Sequence, residues 1–155
     1  VIKITCQTGD ELELDGASLE AIKLDDRDLH RALLDNMNLS YSSFRRTDLR
    51  GAVLNGAALV GCDFRDAKMM NAALSEANLS NAKLGNSGLM GATVDGENLQ
   101  NADLSGADIA FASFQRADIR GAKFLCVRIE EADLSEAIWD SATLFPDGFV
   151  PSKRE

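Results

Sequence analysis

Any chemistry in this chain would have to start from very few reactive side chains. There is one histidine, His30, and there are three cysteines, Cys6, Cys62 and Cys126. A catalytic triad needs a base beside its nucleophile, and no serine near His30 stands in a G-x-S-x-G turn. Zinc needs several Cys and His ligands at short spacing, whereas these thiols are far apart and form no C-x-x-C pair. No glycine-rich loop runs into Lys and then Ser or Thr, as a phosphate cradle would. Carboxylates are the one abundant group: 25 Asp and Glu against 16 Lys and Arg, for a net charge of −9. The sequence thus offers no catalytic residues, no cofactor and no metal, and reads as a non-enzyme.

An acidic chain also argues against direct binding of nucleic acid, whose phosphates call for a basic surface. No apolar run approaches the ~18 residues of a membrane span, and the opening V-I-K-I-T-C-Q-T has no apolar signal-peptide core. An odd number of scattered cysteines suits reduced thiols. These features place the protein in a cytoplasm and off the membrane.

What must position the surface groups is a repeat. From Leu14 to Leu144 every fifth residue is a large apolar one, with a small residue, usually Ala, two places before it. A helix cannot use this period, because five residues advance ~500° and scatter the large side chains over every face. One straight strand fails as well, since an odd spacing sends alternate large residues to opposite sides. The two-residue step from Ala102 to Leu104 does fit a short extended piece with both side chains inward. The other three residues then turn a corner, and four corners close a square coil of twenty residues. Gly51, Gly56, Gly61, Gly91, Gly96, Gly106 and Gly121 fall on the corners, where a positive φ is cheap for glycine.

The units A-D-L-S-G, A-N-L-S-N, A-D-I-R-G and A-D-L-S-E resemble the A-(D/N)-L-x-x repeat of pentapeptide-repeat proteins over about residues 12–144. The ending W-D-S-A-T-L-F-P-D-G-F-V-P is similar to the close of many bacterial, notably cyanobacterial, members. The resemblance implies an all-β fold, a right-handed quadrilateral β-helix, and the count of units gives just under seven coils. Residues 1–11 are expected as a capping strand, 12–144 as the β-helix, and 145–155 as a C-terminal cap with P-S-K-R-E as a frayed tail. Arg27 and Glu97 fall on small inward sites, where a charge in a dry core costs several kcal/mol unless paired. For Glu97 the expectation is a local bulge at D-G-E-N that turns the carboxylate to solvent.

Residues twenty apart stack in columns, so the charge can be sorted by wall. One wall gathers Asp15, Asp35, Glu76, Asp95, Asp133 and Glu136, the expected partner surface. Another carries Lys23, Arg45, Arg46, Arg65, Lys83 and Lys123 beside its acids. Outward apolar residues gather near the end: Leu125 and Phe145 in one column, Ile138 round the corner and Phe149 nearby. They suggest a homodimer through that end, and the rival reading is an intramolecular lid in which Pro146 and Pro151 hold Phe145 and Phe149 down over the last coil. The leading functional reading is a non-catalytic protein-binding or scaffold module whose partner is unknown, since repeat surfaces commonly work this way. The alternative follows from the resemblance alone: some members mimic DNA and protect DNA gyrase from quinolones, and the acidic wall favours that.

Overall fold

The computed structural model describes residues 1–152. Its body is a repeat β-helix held by parallel bridges between residues twenty apart, such as Leu33–Val53–Ala73–Thr93–Ser113–Asp133, with three further columns round each coil. Most five-residue units make the same bonds, Glu97 and Asn98 being exceptions within the body. Val53 N donates to Ala32 O of the coil above (2.8 Å), Leu54 N to Ala73 O (2.7 Å) and Gly56 N to Ser75 O (2.9 Å) of the coil below. Ala57 N turns back to Leu54 O (3.1 Å) and closes the corner. The large and small inward sites form one core, fully buried at Leu24, Leu34, Phe44, Leu54, Phe64 and Phe114 among others. Phe44 and Phe64 stack with ring centroids 5.0 Å apart.

The expected corner glycines all have positive φ, but so do Asp26, Asn36, Tyr41, Asn71 and Phe111. Left-handed backbone is therefore required at every corner, whatever residue stands there. At most of these corners, though not at Gly96, the coil above selects glycine. A Cβ on Gly56 would collide with Oδ1 of Asn36, and one on Gly61 would lie 2.8 Å from the Tyr41 ring. Small inward sites that hold Ser, Thr or Cys have a separate cause: Ser42 Oγ donates to Leu19 O (2.8 Å) and Thr47 Oγ1 to Leu24 O (2.8 Å).

The ends depart from the expected register. The N-terminal cap is an antiparallel hairpin rather than a lone strand: β1 (Ile2–Thr5) pairs with β2 (Glu11–Leu14), so Leu14 sits half-buried in the cap. The hairpin joins the first coil through Leu33 N to Thr5 O (2.8 Å) and Gln7 N to Arg31 O (2.9 Å). Because it covers only that wall, Arg27 lies at an open top edge and is exposed rather than inward. Near the other end the register slips. Cys126 takes the small inward site and Val127 turns out, 48% exposed, bridging nineteen rather than twenty residues back to Asp108. A 3-10 turn at Ile129–Glu131 restores the phase.

One extra residue then enters before Thr143, so Lys123 bridges Leu144. Leu144 is exposed and Phe145 is not, the reverse of what the period of five gives, and Phe145 takes the lid position instead. Phe145 packs inward against Phe124 (6.3 Å), Trp139 (5.9 Å) and Phe149 (5.7 Å). Pro151 is buried against this lid, so the tail is docked there; the rest of the expected frayed tail, 153–155, lies outside the described residues.

Leu74 is buried while Ser75 beside it is half-exposed at a corner. Leu74→Ala is expected to destabilise the fold by about 2–5 kcal/mol, and Ser75→Ala by about 0.5 kcal/mol or less. Urea unfolding of the two variants checks the register, which equal losses would overturn.

Candidate functional site

Four of every five backbone amides are used by the ladder and the corner bond. The fifth, two places after the outward residue of each strand, lies outside the ladder, and in many units a side chain meets it. Asp28 accepts from His30 N, Asn78 from Ser80 N, Asp103 from Ser105 N and Asp133 from Ser135 N, at 2.9–3.1 Å. Where that outward residue is not Asp or Asn, an acid or amide one coil above can serve, as Asn55 does for Ser75 N and Asp95 for Gln115 N (2.9 and 3.0 Å). Sorting the acids by wall alone does not reveal this role of Asp and Asn. The signal was present: both are poor strand formers, yet they recur in mid-strand.

The finding divides the acidic wall. Asp95 also accepts from Ser113 Oγ at 2.5 Å, and Asp133 from Gln115 Nε2 at 2.6 Å, so both are half-buried fixtures of the corner. Asp15, Asp35, Glu76 and Glu136 are exposed. Asp35 and Glu76 line one shallow depression with Val53 and Asn55 between them.

The basic wall is largely neutralised by its own acids: Arg46 by Asp26 (2.6 Å), Arg65 by Asp63 (2.6 Å), and Lys123 by Asp103 (3.7 Å). The Arg-on-Asp bonds at positions two apart recur at Asp48–Arg50 and Asp118–Arg120. The Arg120 guanidinium holds the Asp118 carboxyl down to about 2.

Glu97 contradicts its expectation. The corner at Gly96 keeps its ordinary positive φ, no bulge forms, and the side chain points inward, 1% exposed. Its Oε1 accepts from Ala77 N at 2.9 Å and its Oε2 has no hydrogen-bond partner. Burial pushes the carboxyl up to about 9, the nearby Asp95 and Glu76 charges add to the rise, and the Ala77 amide opposes it.

His30 is exposed and borders a depression with Cys6, Asp10 and Asp28. Among the described residues no group of three or more His, Cys, Asp or Glu is arranged to hold a metal. Burial pushes the Cys62 and Cys126 thiols up to about 12, which removes them as nucleophiles near neutral pH. At the C-terminal end Leu125 and Ile138 are exposed as expected, while Phe145 and Phe149 belong to the inward lid. No helix among the described residues is long and apolar enough to cross a membrane.

A family model for pentapeptide repeats matches residues 13–51, 28–66, 47–86, 87–124 and 98–135. Among solved structures, the chain is similar to a pentapeptide repeat protein from Nostoc PCC 7120, at 24% identity over 77% of this chain and 85% of that one, with a TM-score of 0.45. It is similar to Rfr23 from the cyanobacterium Cyanothece 51142 at 23% identity, over 83% and 88% of the two chains, with a TM-score of 0.39. QnrB1, a plasmid-mediated fluoroquinolone resistance protein, aligns at 16% identity over 83% and 87%, with a TM-score of 0.35. No curated protein sequence matches.

Glu97 sets a pH dependence with a definite sign. A carboxyl whose folded pKa is raised from 4.5 to about 9 binds a proton in the folded state that the unfolded state releases. Stability therefore falls as pH rises through that window, by at most about 1.4 kcal/mol per pH unit. Glu97→Gln lacks this slope. It is expected to be more stable than the parent at pH 8 by a few kcal/mol, with the gap closing toward pH 4. Urea unfolding at both pH values checks this; a gap that does not change with pH would place the carboxylate in solvent.

Proposed function

This chain belongs to the pentapeptide-repeat family, and we propose that it serves as a non-catalytic protein-binding or scaffold module presenting a rigid β-helical surface. We take the rod as a right-handed helix of just under seven coils working in a cytoplasm, where its thiols stay reduced. The observation that carries the reading is the ladder, which keeps its twenty-residue step from Lys23 to Lys123. Every wall is a fixed column of side chains at ~4.8 Å spacing, and the family that matches is not a catalytic one. The partner surface is the exposed part of the acidic wall, centred on Asp35 and Glu76 and extended by Asp15 and Glu136. Asp35 and Glu76 are exposed to a basic partner, whereas Asp95 and Asp133 are already bonded to the corners. Asp35→Lys/Glu76→Lys is expected to leave the melting temperature within a few degrees of the parent and to abolish capture of the partner from host extract. Retained capture would exclude this wall.

A second reading, protection of gyrase by DNA mimicry, draws on the same exposed acids. Against it, the corner column that carries Asp35 and Asp95 reads Asp, Asp, Asn, Ser, Asp, Gln, Ser from residue 15 to 135, not an acid at every step. The protein is expected to leave gyrase supercoiling unchanged at an excess over enzyme; inhibition would favour mimicry.

The C-terminal end supports a homodimer. Leu125, Ile138 and Leu144 are 40%, 52% and 46% exposed and are not covered by the lid of Phe145 and Phe149. Sedimentation at tens of micromolar is expected to show a dimer for the parent and a monomer for Leu125→Glu/Ile138→Glu. A monomeric parent removes the proposal.

A further inference from the structure

A second surface has the opposite chemistry. One wall carries the column Asp48, Lys68, Gly88 and Asp108, joined by successive parallel bridges. Gly88 leaves a notch in it, since a Cβ there would meet nothing within 4 Å. Two methionines border the notch on the adjoining corner: Met70, 39% exposed, and Met90, half-buried. Together they line a shallow cavity of about 300 Å³ with Arg50, Lys68 and Asp108 at its rim.

The charges at that rim do not cancel. Asp48 is taken by Arg50, whose Nη2 lies 2.5 Å from Oδ2. Asp108 is taken by Arg128, which also reaches Met90 Sδ at 3.8 Å. Lys68 stands between these two neutral pairs, exposed and with no ion-pair partner among the described residues. The notch is thus apolar with one uncompensated positive charge, on a protein whose net charge is −9.

We propose that this notch is a docking site for a protein segment that pairs an apolar side chain with a carboxylate. The apolar group fills the space over Gly88 between Met70 and Met90, and the carboxylate meets Lys68 one coil above. Methionine surfaces accommodate such anchors because the thioether is flexible and polarizable. Met70 and Met90 are one coil apart, ~4.8 Å, close to the ~4.5 Å rise between positions i and i+3 of a helix. An amphipathic helix lying along the rod therefore presents successive apolar residues at the spacing of the methionines. A fatty acid carries the same two groups, but an open depression buries too little of a small molecule to hold it. The inference rests on the reading of the rod as a binding module and assigns it a face apart from the acidic wall.

The test uses the full chain labelled with ¹³C at its methionine methyls. The probe is a synthetic amphipathic helical peptide with Leu at i, i+3 and i+7 flanked by Glu; a Glu→Lys version and dodecanoate are the comparisons. The acidic peptide is expected to shift the Met70 and Met90 signals saturably, leaving the buried Met69 unmoved. Lys68→Glu and, separately, Gly88→Leu are expected to weaken its binding at least tenfold, while Asp35→Lys/Glu76→Lys leaves it unchanged. That last variant separates failure of this site from failure of the acidic wall. The proposal is overturned if the acidic peptide produces no shift, if the basic peptide binds equally, if only dodecanoate binds, or if the signals move with protein concentration alone.

Discussion

Every coil depends on the next for its backbone bonds. Leu54 N needs Ala73 O, Gly56 N needs Ser75 O, and Val53 N needs Ala32 O. Within a coil the corner bond alone is local. No unit can therefore be stable by itself, and the chain must keep a twenty-residue phase for the amides to be met. The rest of the structure answers to this demand. The hydroxyls of Ser42 and Thr47, the left-handed corners and the stacked phenylalanines all serve to keep consecutive coils superimposed.

The same demand explains why the surface acids are not all equivalent. The ladder leaves one amide per unit unmet, and wherever an Asp or Asn stands in mid-strand, as at Asp28, Asn78 and Asp103, or a corner Asn or Asp stands one coil above, as at Asn55 and Asp95, its side chain supplies the acceptor. Much of the negative charge is therefore part of the scaffold. Asp118, held low by Arg120, is spent on the amide of residue 120 and on that guanidinium, whereas Asp35 and Glu76 remain open to a partner. Glu97 is the exception within the core. It occupies a site where Ala77 and Ala117 above and below are small and buried, and it satisfies one oxygen by borrowing the Ala77 amide.

The body of the fold was legible in the sequence because the period of five is incompatible with either regular element and unbroken for most of the chain. Leu74 and Phe114 are where the pattern puts them. The pattern could not show where the phase would be broken. The one-residue slip at Cys126 is made good by the turn at Ile129–Glu131, so Ile138 is back in phase, and the one-residue insertion before Thr143 then leaves Leu144 of the right type at the wrong place. Nor could it show that Asn36 leans over Gly56, because that contact spans twenty residues. Of the surface, the exposed positions were legible and their bonding was not. Asp95 and Glu76 look alike on a wheel of columns and differ only in what their oxygens accept.

The direction of the ladder also fixes how the rod bears load. The amide bonds between coils run along its axis, and the described chain begins and ends at opposite ends of the stack. Tension applied to those ends does not strain all interfaces together. It concentrates on the terminal coil, whose bonds must open before the next coil feels the pull. Each coil released frees twenty residues, about 65–70 Å of extended chain. Stretching therefore proceeds by unwinding in steps, and the hairpin at Ile2–Leu14 and the lid of Phe145 and Phe149 are the two catches that set the force of the first step.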